Sequence, residues 1–150
     1  MARRRTTSNV RAGEGESSRN RGRPRDLFHY RVPGDWEVIA GRTAADNDEL
    51  SLRLARPDDW WFHIKGMPGS HVILRAEEGR EPDRGTLETA AGIAAFHSKA
   101  REAGTVAVSC TRARYVTKPR GASRGTVEIR KENTLKVRPV DPAEWRVEDD

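Results

Sequence analysis

Alternating hydrophobic and polar positions on both sides of a short turn predict two paired strands in the run DDWWFHIKGMPGSHVILR. In its first half, Trp61 and His63 point to one side, while the neighbouring apolar residues point to the other. In its second half, His71 and Arg75 share a face. The intervening residues 66–69 (GMPG) have turn chemistry, because glycine supplies positive φ and proline fixes φ at about −65°. We therefore predict two strands whose polar faces carry His, Lys, Ser and Arg beside a tight loop, and we interpret that surface as a binding site.

The remaining pattern predicts a mixture of hairpins and two helices. The first helix ends before Pro57, since the residue preceding a proline avoids the helical region. The second is rich in small residues suited to close packing on a sheet, and Gly104 follows its end. The class predicted is α+β, a single domain with a mainly antiparallel sheet and two principal helices. The segments are a hairpin at 28–31 and 36–40, helices at 44–55 and 86–102, strands at 105–111 and 115–118, and a terminal hairpin pairing 127–130 with 134–138.

Charge divides the 150 residues into unequal parts. Residues 1–25 hold eight Arg and two Glu with almost no large apolar residue, a composition typical of a disordered basic arm. Residues 26–142 are predicted to form the folded domain, and residues 143–150 an acidic C-terminal tail. No apolar run approaches the ~20 residues of a membrane span, and no apolar stretch follows the first arginines as in a secretory signal. A lone Cys110 fits a reducing compartment, so we expect a cytoplasmic protein.

A basic run follows in the C-terminal third of the chain. Residues 112–138 contain nine Lys and Arg against Glu128 and Glu132. Within it, Lys118, Arg120 and Arg124 alternate with glycines in a loop whose backbone N–H groups and cations suit phosphate. Such charge runs are more often solvated surfaces that only aid solubility. The single sign of this one keeps nucleic acid open as an equal alternative.

Four blocks of residues follow one another in a fixed order along the folded part of the chain. They are Gly41-Arg42 with Asn47-Asp48; Asp59 and Trp61-Phe62-His63 with Lys65-Gly66 and Pro68-Gly69-Ser70-His71; Ala90-Ala91 with Ser98-Lys99; and Lys118-Pro119 with Gly121-Ala122 and Gly125. Together they resemble the NFACT-R domain, the RNA-binding module of the NFACT proteins of ribosome-associated quality control, over about residues 27–140. The resemblance implies binding to tRNA and the large ribosomal subunit. NFACT proteins also extend stalled nascent chains and carry further domains that the resemblance does not cover, so we expect a stand-alone form whose inherited role is RNA binding.

The predicted contacts follow from side-chain chemistry together with this resemblance. Trp61 is the candidate for base stacking, His63 and His71 for hydrogen bonds to phosphate or ribose, and cations for phosphate. Asp59 is alternatively a turn-capping carboxylate, and Lys99 suits a helix C-terminus. The predicted RNA-binding set is Arg42, Asn47, Asp59, Trp61, His63, Lys65, Gly66, Gly69, Ser70, His71, Arg75, Lys99, Lys118, Arg120 and Arg124.

The predicted function is RNA binding, to tRNA or large-subunit ribosomal RNA, through phosphates and shape. We predict no catalytic residue, cofactor or metal, since a His-x7-His spacing across a turn is not a common metal signature. Three alternatives stay open. They are an accessory module that delivers tRNA to a modifying enzyme, an adaptor that docks on a ribosomal protein surface, and a small hydrolase or RNA-processing enzyme using Asp59, His63, Ser70 and His71. The sequence leaves the oligomeric state undetermined.

Overall fold

The main sheet has six strands that are all paired antiparallel. It is seen in a computed structural model, which describes residues 4–6 and 27–147. The strand order is β2-β3-β5-β4-β6-β9, and a smaller sheet has the order β1-β8-β7. This architecture confirms the α+β class with a mainly antiparallel sheet. The strands are β1 (Arg4–Thr6), β2 (Phe28–Val32), β3 (Trp36–Ala40), β4 (Trp60–Ile64), β5 (Val72–Leu74), β6 (Val106–Arg112), β7 (Val116–Thr117), β8 (Val127–Ile129) and β9 (Asn133–Val137).

Helices cover both faces of the main sheet, and each face has its own core. On one face the small residues Ala91 and Ala94 of α2 pack against Phe62. On the other, Leu50 packs with Trp61 and the smaller sheet. None of the helices in the described residues is both long and apolar enough to cross a membrane. The helices are α1 (Ala44–Glu49), a π-helix (Leu50–Leu54), α2 (Arg84–Phe96) and two 3₁₀ turns (Ala113–Tyr115 and Ala143–Trp145).

The two strands of the central motif pair as predicted. β4 and β5 are antiparallel neighbours with Trp61 opposite Ile73. Trp61 and Ile73 belong to one core, whereas Phe62 and Val72 belong to the other. The alternation in the sequence therefore gave the correct faces. It did not reveal that both faces are covered, which is typical of strands in the centre of a sheet.

Both predicted helices differ from the structure in their second halves. The first begins with Thr43 capping the N–H of Asp46, and after Glu49 it widens into a π-helix in which Ala55 bonds to Leu50. The second ends at Phe96, six residues earlier than predicted. Local and long-range hydrogen bonds meet at its end. The Ser98 hydroxyl donates to the Ala95 carbonyl and accepts from the N–H of Ala100. The His97 carbonyl, just beyond the helix, accepts the N–H of Ser70 from the loop of residues 65–71 that joins β4 to β5 (the motif loop).

The predicted terminal hairpin is wrong, because β8 and β9 belong to different sheets. β8 pairs with β7 and β1, and β9 pairs with β6 at the edge of the main sheet. The chain changes direction between them at Lys131, which has a φ of 56°. A three-residue connection that would close a hairpin instead joins two sheets.

The chain ends differ from the expected arm and tail where the structure describes them. Arg4–Thr6 form β1 on the smaller sheet, and the remainder of the predicted arm lies outside the described residues. At the other end, Ala143–Trp145 form a 3₁₀ turn, Arg146 bridges to Tyr30, and Val147 donates to His29. Residues 143–147 are therefore part of the fold instead of an acidic tail.

Candidate nucleic-acid interface

The aromatic and histidine side chains of the motif form a buried network. The Ser51 hydroxyl accepts a hydrogen bond from Nε1 of Trp61 at 2.9 Å and lies 2.8 Å from Nδ1 of His71. The His63 ring stacks on Trp61 with centroids 6.0 Å apart. Trp61, His63 and His71 are at most 1% exposed. In this conformation the three side chains lie in the interior, so the predicted base stacking by Trp61 and RNA contacts of the two histidines gain no support from their positions.

Burial also keeps His71 uncharged. It lowers the pKa of His71 well below its ordinary value, and the neighbouring His63 ring lowers it further, while backbone groups of Gly125 and Asn47 oppose the shift. The interior stabilises the neutral His71 ring, because Ser51 is hydrogen-bonded to its Nδ1. The side chains of this network therefore support the fold by bonding to one another.

Asp59 and Arg75 are partners of each other. The Asp59 carboxylate is fully buried and lies 2.9 Å from the Arg75 guanidinium. It also accepts from the N–H groups of Arg56 and Ala76, which confirms the alternative reading of Asp59 as a turn cap. Arg75 donates in addition to the Leu54 carbonyl. Both were predicted to bind RNA, and the structure instead assigns them to a bond between β4 and β5.

Two other predicted cations have carboxylate partners. Lys65 lies 3.2 Å from Glu132. Lys118 lies 3.2 Å from Asp48 and donates to carbonyls within its own loop, while the Gly125 N–H donates to the same carboxylate of Asp48. Lys118 therefore holds the basic loop against α1. Arg120 and Arg124 of that loop are exposed, and among the described residues neither forms an ion pair.

A large cavity lies beside the motif loop, at the C-terminal end of α2. Its volume is about 790 Å³. Predicted site residues in its wall are Arg42, Gly69, Ser70 and Lys99. Of the residues not predicted, the ones that matter for ligand chemistry are Phe28, Tyr30, Phe96, His97, Arg101 and Arg146.

The wall of the pocket explains why the motif needs small residues at its turn. A Cβ on Gly69 would lie 3.0 Å from Cβ of Ser98 and 3.2 Å from the His97 carbonyl oxygen, so glycine is required by close approach. Positive φ occurs instead at Gly66, where φ is 78° and the space around it is open. Ser70, which follows Gly69, donates its hydroxyl proton to the Gly41 carbonyl at 2.8 Å. These contacts join the motif loop to α2 and to the segment that carries Arg42.

Asn47 links this wall to the buried network. Its side-chain oxygen accepts the His71 N–H at 3.1 Å, and the His71 carbonyl accepts the Gly41 N–H at 3.0 Å. Asn47 is fully buried, so its role is to position Gly41 and, beside it, Arg42. In the structure Asn47 therefore supports the wall of the pocket from the interior, and its predicted contact with RNA gains no support from its position.

The C-terminal segment completes the pocket by crossing α2. At Gly92 an added Cβ would lie 2.5 Å from the Val140 side chain, and the Val140 N–H donates to the Gly92 carbonyl. The crossing directs Asp141 and the following 3₁₀ turn onto the pocket and places Arg146 beside Phe28. Sequence reasoning missed Arg146 because it treated the region as a tail. Gly92 in a helix and the apolar Trp145 were the available signals.

The pocket combines positive charge with aromatic rings. Arg42 and Arg146 each lie 4.8 Å from the centroid of Phe28, and Arg101 lies 4.2 Å from that of Phe96. Within the described residues, the lining carries one carboxylate, Asp141, against its basic side chains. The resulting potential favours an anion with an aromatic component. Its cations are Arg42, Lys99, Arg101 and Arg146.

A neutral pair lies in the pocket wall. The Tyr30 hydroxyl is 2.7 Å from Nε2 of His97, whose ring stacks on Phe28 at 4.9 Å. Burial lowers the pKa of His97 to about 4, helped by the charges of Arg101 and Arg146. Burial raises the pKa of Tyr30 to about 12. Both groups are uncharged at neutral pH, and both can form hydrogen bonds among the surrounding cations.

The four residues of the alternative enzyme do not form one accessible site, although the rings of His63 and His71 lie 5.5 Å apart. Asp59 precedes β4 and His63 lies near its far end, roughly 13 Å away at about 3.3 Å per residue. Ser70 is bonded to a backbone carbonyl and His71 to Ser51, and Asp59, His63 and His71 are buried. Residues 4–6 and 27–147 contain no cluster of three or more side chains able to hold a metal.

Comparisons with known proteins agree with this geometry. The model of the NFACT protein RNA binding domain matches residues 27–131. The chain is 41% identical over 113 residues to the Rqc2 homolog RqcH of Bacillus subtilis and 36% identical over 108 residues to that of Streptococcus suis. These alignments cover 75% and 72% of this chain, which spans only 19% of the length of each relative.

A solved structure has the same fold. It is the C-terminal part of the fibronectin/fibrinogen-binding protein from Streptococcus suis, with a TM-score of 0.75 and 31% identity. The match covers 81% of this chain and 50% of that one. The chain belongs to the NFACT protein RNA binding domain family.

Proposed function

We propose that this protein binds tRNA or large-subunit ribosomal RNA by recognising phosphates and shape, in ribosome-associated quality control in the cytoplasm. The observation that carries the proposal is the basic, aromatic pocket whose wall is the motif loop. The similarity to the proteins named Rqc2 homolog RqcH supports the pathway. Because phosphate contacts dominate affinity without reading sequence, RNAs of unrelated sequence should bind.

The availability of the cations supports the pocket over the other basic surfaces. Lys65, Arg75 and Lys118 are each held by a carboxylate. Lys99 and Arg101 are exposed and, among the described residues, form no ion pair. A phosphate can reach these two without breaking an existing salt bridge. Arg120 and Arg124 of the loop are equally exposed and add a second, weaker anchor.

The test is a gel shift with total tRNA at several salt concentrations. The double variant Lys99→Ala/Arg101→Ala should lower affinity by on the order of tenfold and reduce the slope of log K against log salt by about 1.4 to 1.8. The matched control is Arg31→Ala/Arg53→Ala, which removes the same charge from exposed positions outside the pocket. It should change affinity by less than about twofold.

Two results would contradict the proposal. A slope near zero in the unmodified protein would exclude phosphate recognition. Equal loss in the control variant would place the RNA elsewhere on the molecule. Sequencing RNA crosslinked to the protein in cells would then decide between tRNA and ribosomal RNA, and recovery of neither would refute the assignment.

A further inference from the structure

We propose that the pocket receives one unstacked nucleotide of an RNA chain, with the base against Phe28 and the phosphate between the surrounding cations. The inference rests on the proposed function and adds the ligand chemistry of its site. Proteins recognise single-stranded or unpaired RNA largely by stacking splayed bases on aromatic rings or guanidinium planes. The pocket offers both within one cavity.

The size of the cavity suits a single small ligand. At about 790 Å³ it falls within the range of clefts that enclose small molecules, roughly 300–1,000 Å³. A flat basic surface would satisfy phosphate recognition alone. A concave site whose rim is basic and whose wall carries aromatic rings is suited to a base as well.

The aromatic wall is already arranged for stacking. The Phe28 and His97 rings lie 4.9 Å apart with an angle of 20° between their planes, and Phe28 and Tyr30 are also stacked with planes 18° apart. Phe28 is half-buried, so part of its ring is open to a ligand. In the free protein it has the guanidinium groups of Arg42 and Arg146 as neighbours. An entering base exchanges one of these cation–π contacts for stacking, and the freed guanidinium meets the phosphate.

The neutral pair supplies polar contacts for the edge of the base. When the Tyr30 hydroxyl donates to Nε2, the ring proton of neutral His97 lies on Nδ1 and is a hydrogen-bond donor. The low pKa of His97 keeps the ring in that state at neutral pH. Neutral groups of this kind suit an uncharged base, whereas the phosphate is left to Lys99, Arg101 and the freed guanidinium.

The experiment compares adenosine 5′-monophosphate with ribose 5-phosphate, which carries the same phosphate without a base. Binding to the full chain is followed by NMR chemical-shift titration, with the signals of Phe28, His97 and Lys99 as reporters. Adenosine 5′-monophosphate should bind roughly fivefold to a hundredfold more tightly, the contribution of one stacked base. In Phe28→Leu the two ligands should bind equally. Phe96→Leu serves as a second ring variant if Phe28→Leu does not fold.

A five-nucleotide single-stranded RNA distinguishes an RNA segment from a free nucleotide. It should bind more tightly than the monophosphate and shift the same pocket signals. Equal affinity for the two phosphate compounds would overturn the base site, and equal affinity for pentamer and monophosphate would overturn its assignment to RNA. If total tRNA still binds in either case, the proposed function stands and only this inference fails. Loss of tRNA binding together with nucleotide binding in Phe28→Leu supports both.

Discussion

The motif formed by β4, β5 and the loop between them has two sides, which differ in the exposure of their side chains to solvent. On one side Trp61, His63 and His71 are sealed inside the domain. On the other, Gly69 and Ser70 form the wall of an open pocket whose rim carries Arg42 and Lys99. The residues with the most suggestive chemistry therefore form the scaffold, and the pocket is lined by residues that look ordinary in the sequence. The polar residues of a motif can therefore be needed to position a site even when they do not contact its ligand.

The largest effect expected from breaking the scaffold is at Asp59. Asp59→Ala leaves the Arg75 guanidinium without its carboxylate and two N–H groups without an acceptor, so unfolding free energy should fall by about 3–5 kcal/mol. Urea unfolding measures the loss. The matched control is Asp58→Ala, which removes an exposed carboxylate paired with Arg114 and should cost less than about 1 kcal/mol. Similar losses in the two variants would mean that Asp59 is not a buried anchor.

Gly69→Val tests the contact between the two sides. The added side chain meets Ser98 and the His97 carbonyl, so it should cost roughly 1–3 kcal/mol and lower tRNA affinity by displacing the pocket wall. Gly104→Val is the control, because the space around Gly104 is open. Thermal melting and gel shift report the two effects separately. Unchanged tRNA affinity in a destabilised Gly69→Val would separate the pocket wall from RNA binding.

Acid should weaken the protein through His97. Its pKa is about 4 in the folded state against an ordinary value of 6.5, so the unfolded chain binds more protons between these values. Stability is then present above pH 6.5 and is lost as pH falls towards 4, by roughly 2 kcal/mol between pH 7 and pH 5. His71 contributes a loss of the same sign. His97→Gln should flatten the pH dependence of urea unfolding, and an identical profile would contradict the low pKa.

The smallest effect is expected at the basic loop. Arg120→Ala/Arg124→Ala removes two exposed charges outside the pocket, so tRNA affinity should fall by less than about tenfold, with stability unchanged within ~0.5 kcal/mol. A gel shift that compares this variant with Lys99→Ala/Arg101→Ala ranks the basic loop and the pocket directly. A larger loss at the loop than at the pocket would reverse that ranking and make the loop the main RNA surface.

The features predicted correctly from the sequence are the ones that depend on local pattern. Alternation identified β4 and β5 and divided Trp61 from Phe62 between two faces. The ending of α2 could not be read in this way, because Ser70 satisfies the His97 carbonyl from a distant loop. The separation of β8 and β9 has the same cause, since strand partners are chosen by tertiary packing.

The candidate site shows the same division between what local pattern predicts and what depends on tertiary packing. Resemblance identified Gly69, Ser70 and Lys99, all of which line the pocket. It could not distinguish ligand contacts from supports, because burial is a property of the assembled fold and a motif carries both kinds of residue. Arg146 was out of reach for a different reason, since it joins the pocket only through the crossing of the C-terminal segment over Gly92.

That crossing has a consequence for the order in which the protein becomes competent. Domains form as the chain emerges during synthesis, N-terminal parts first. Phe28 and Arg42 emerge more than a hundred residues before Arg146, which bridges to Tyr30. The segment that closes the pocket also follows the residues matched by the family model, which end at 131. A nascent chain can therefore pair the first five strands of its main sheet before β9 and Arg146 complete the sheet and the pocket.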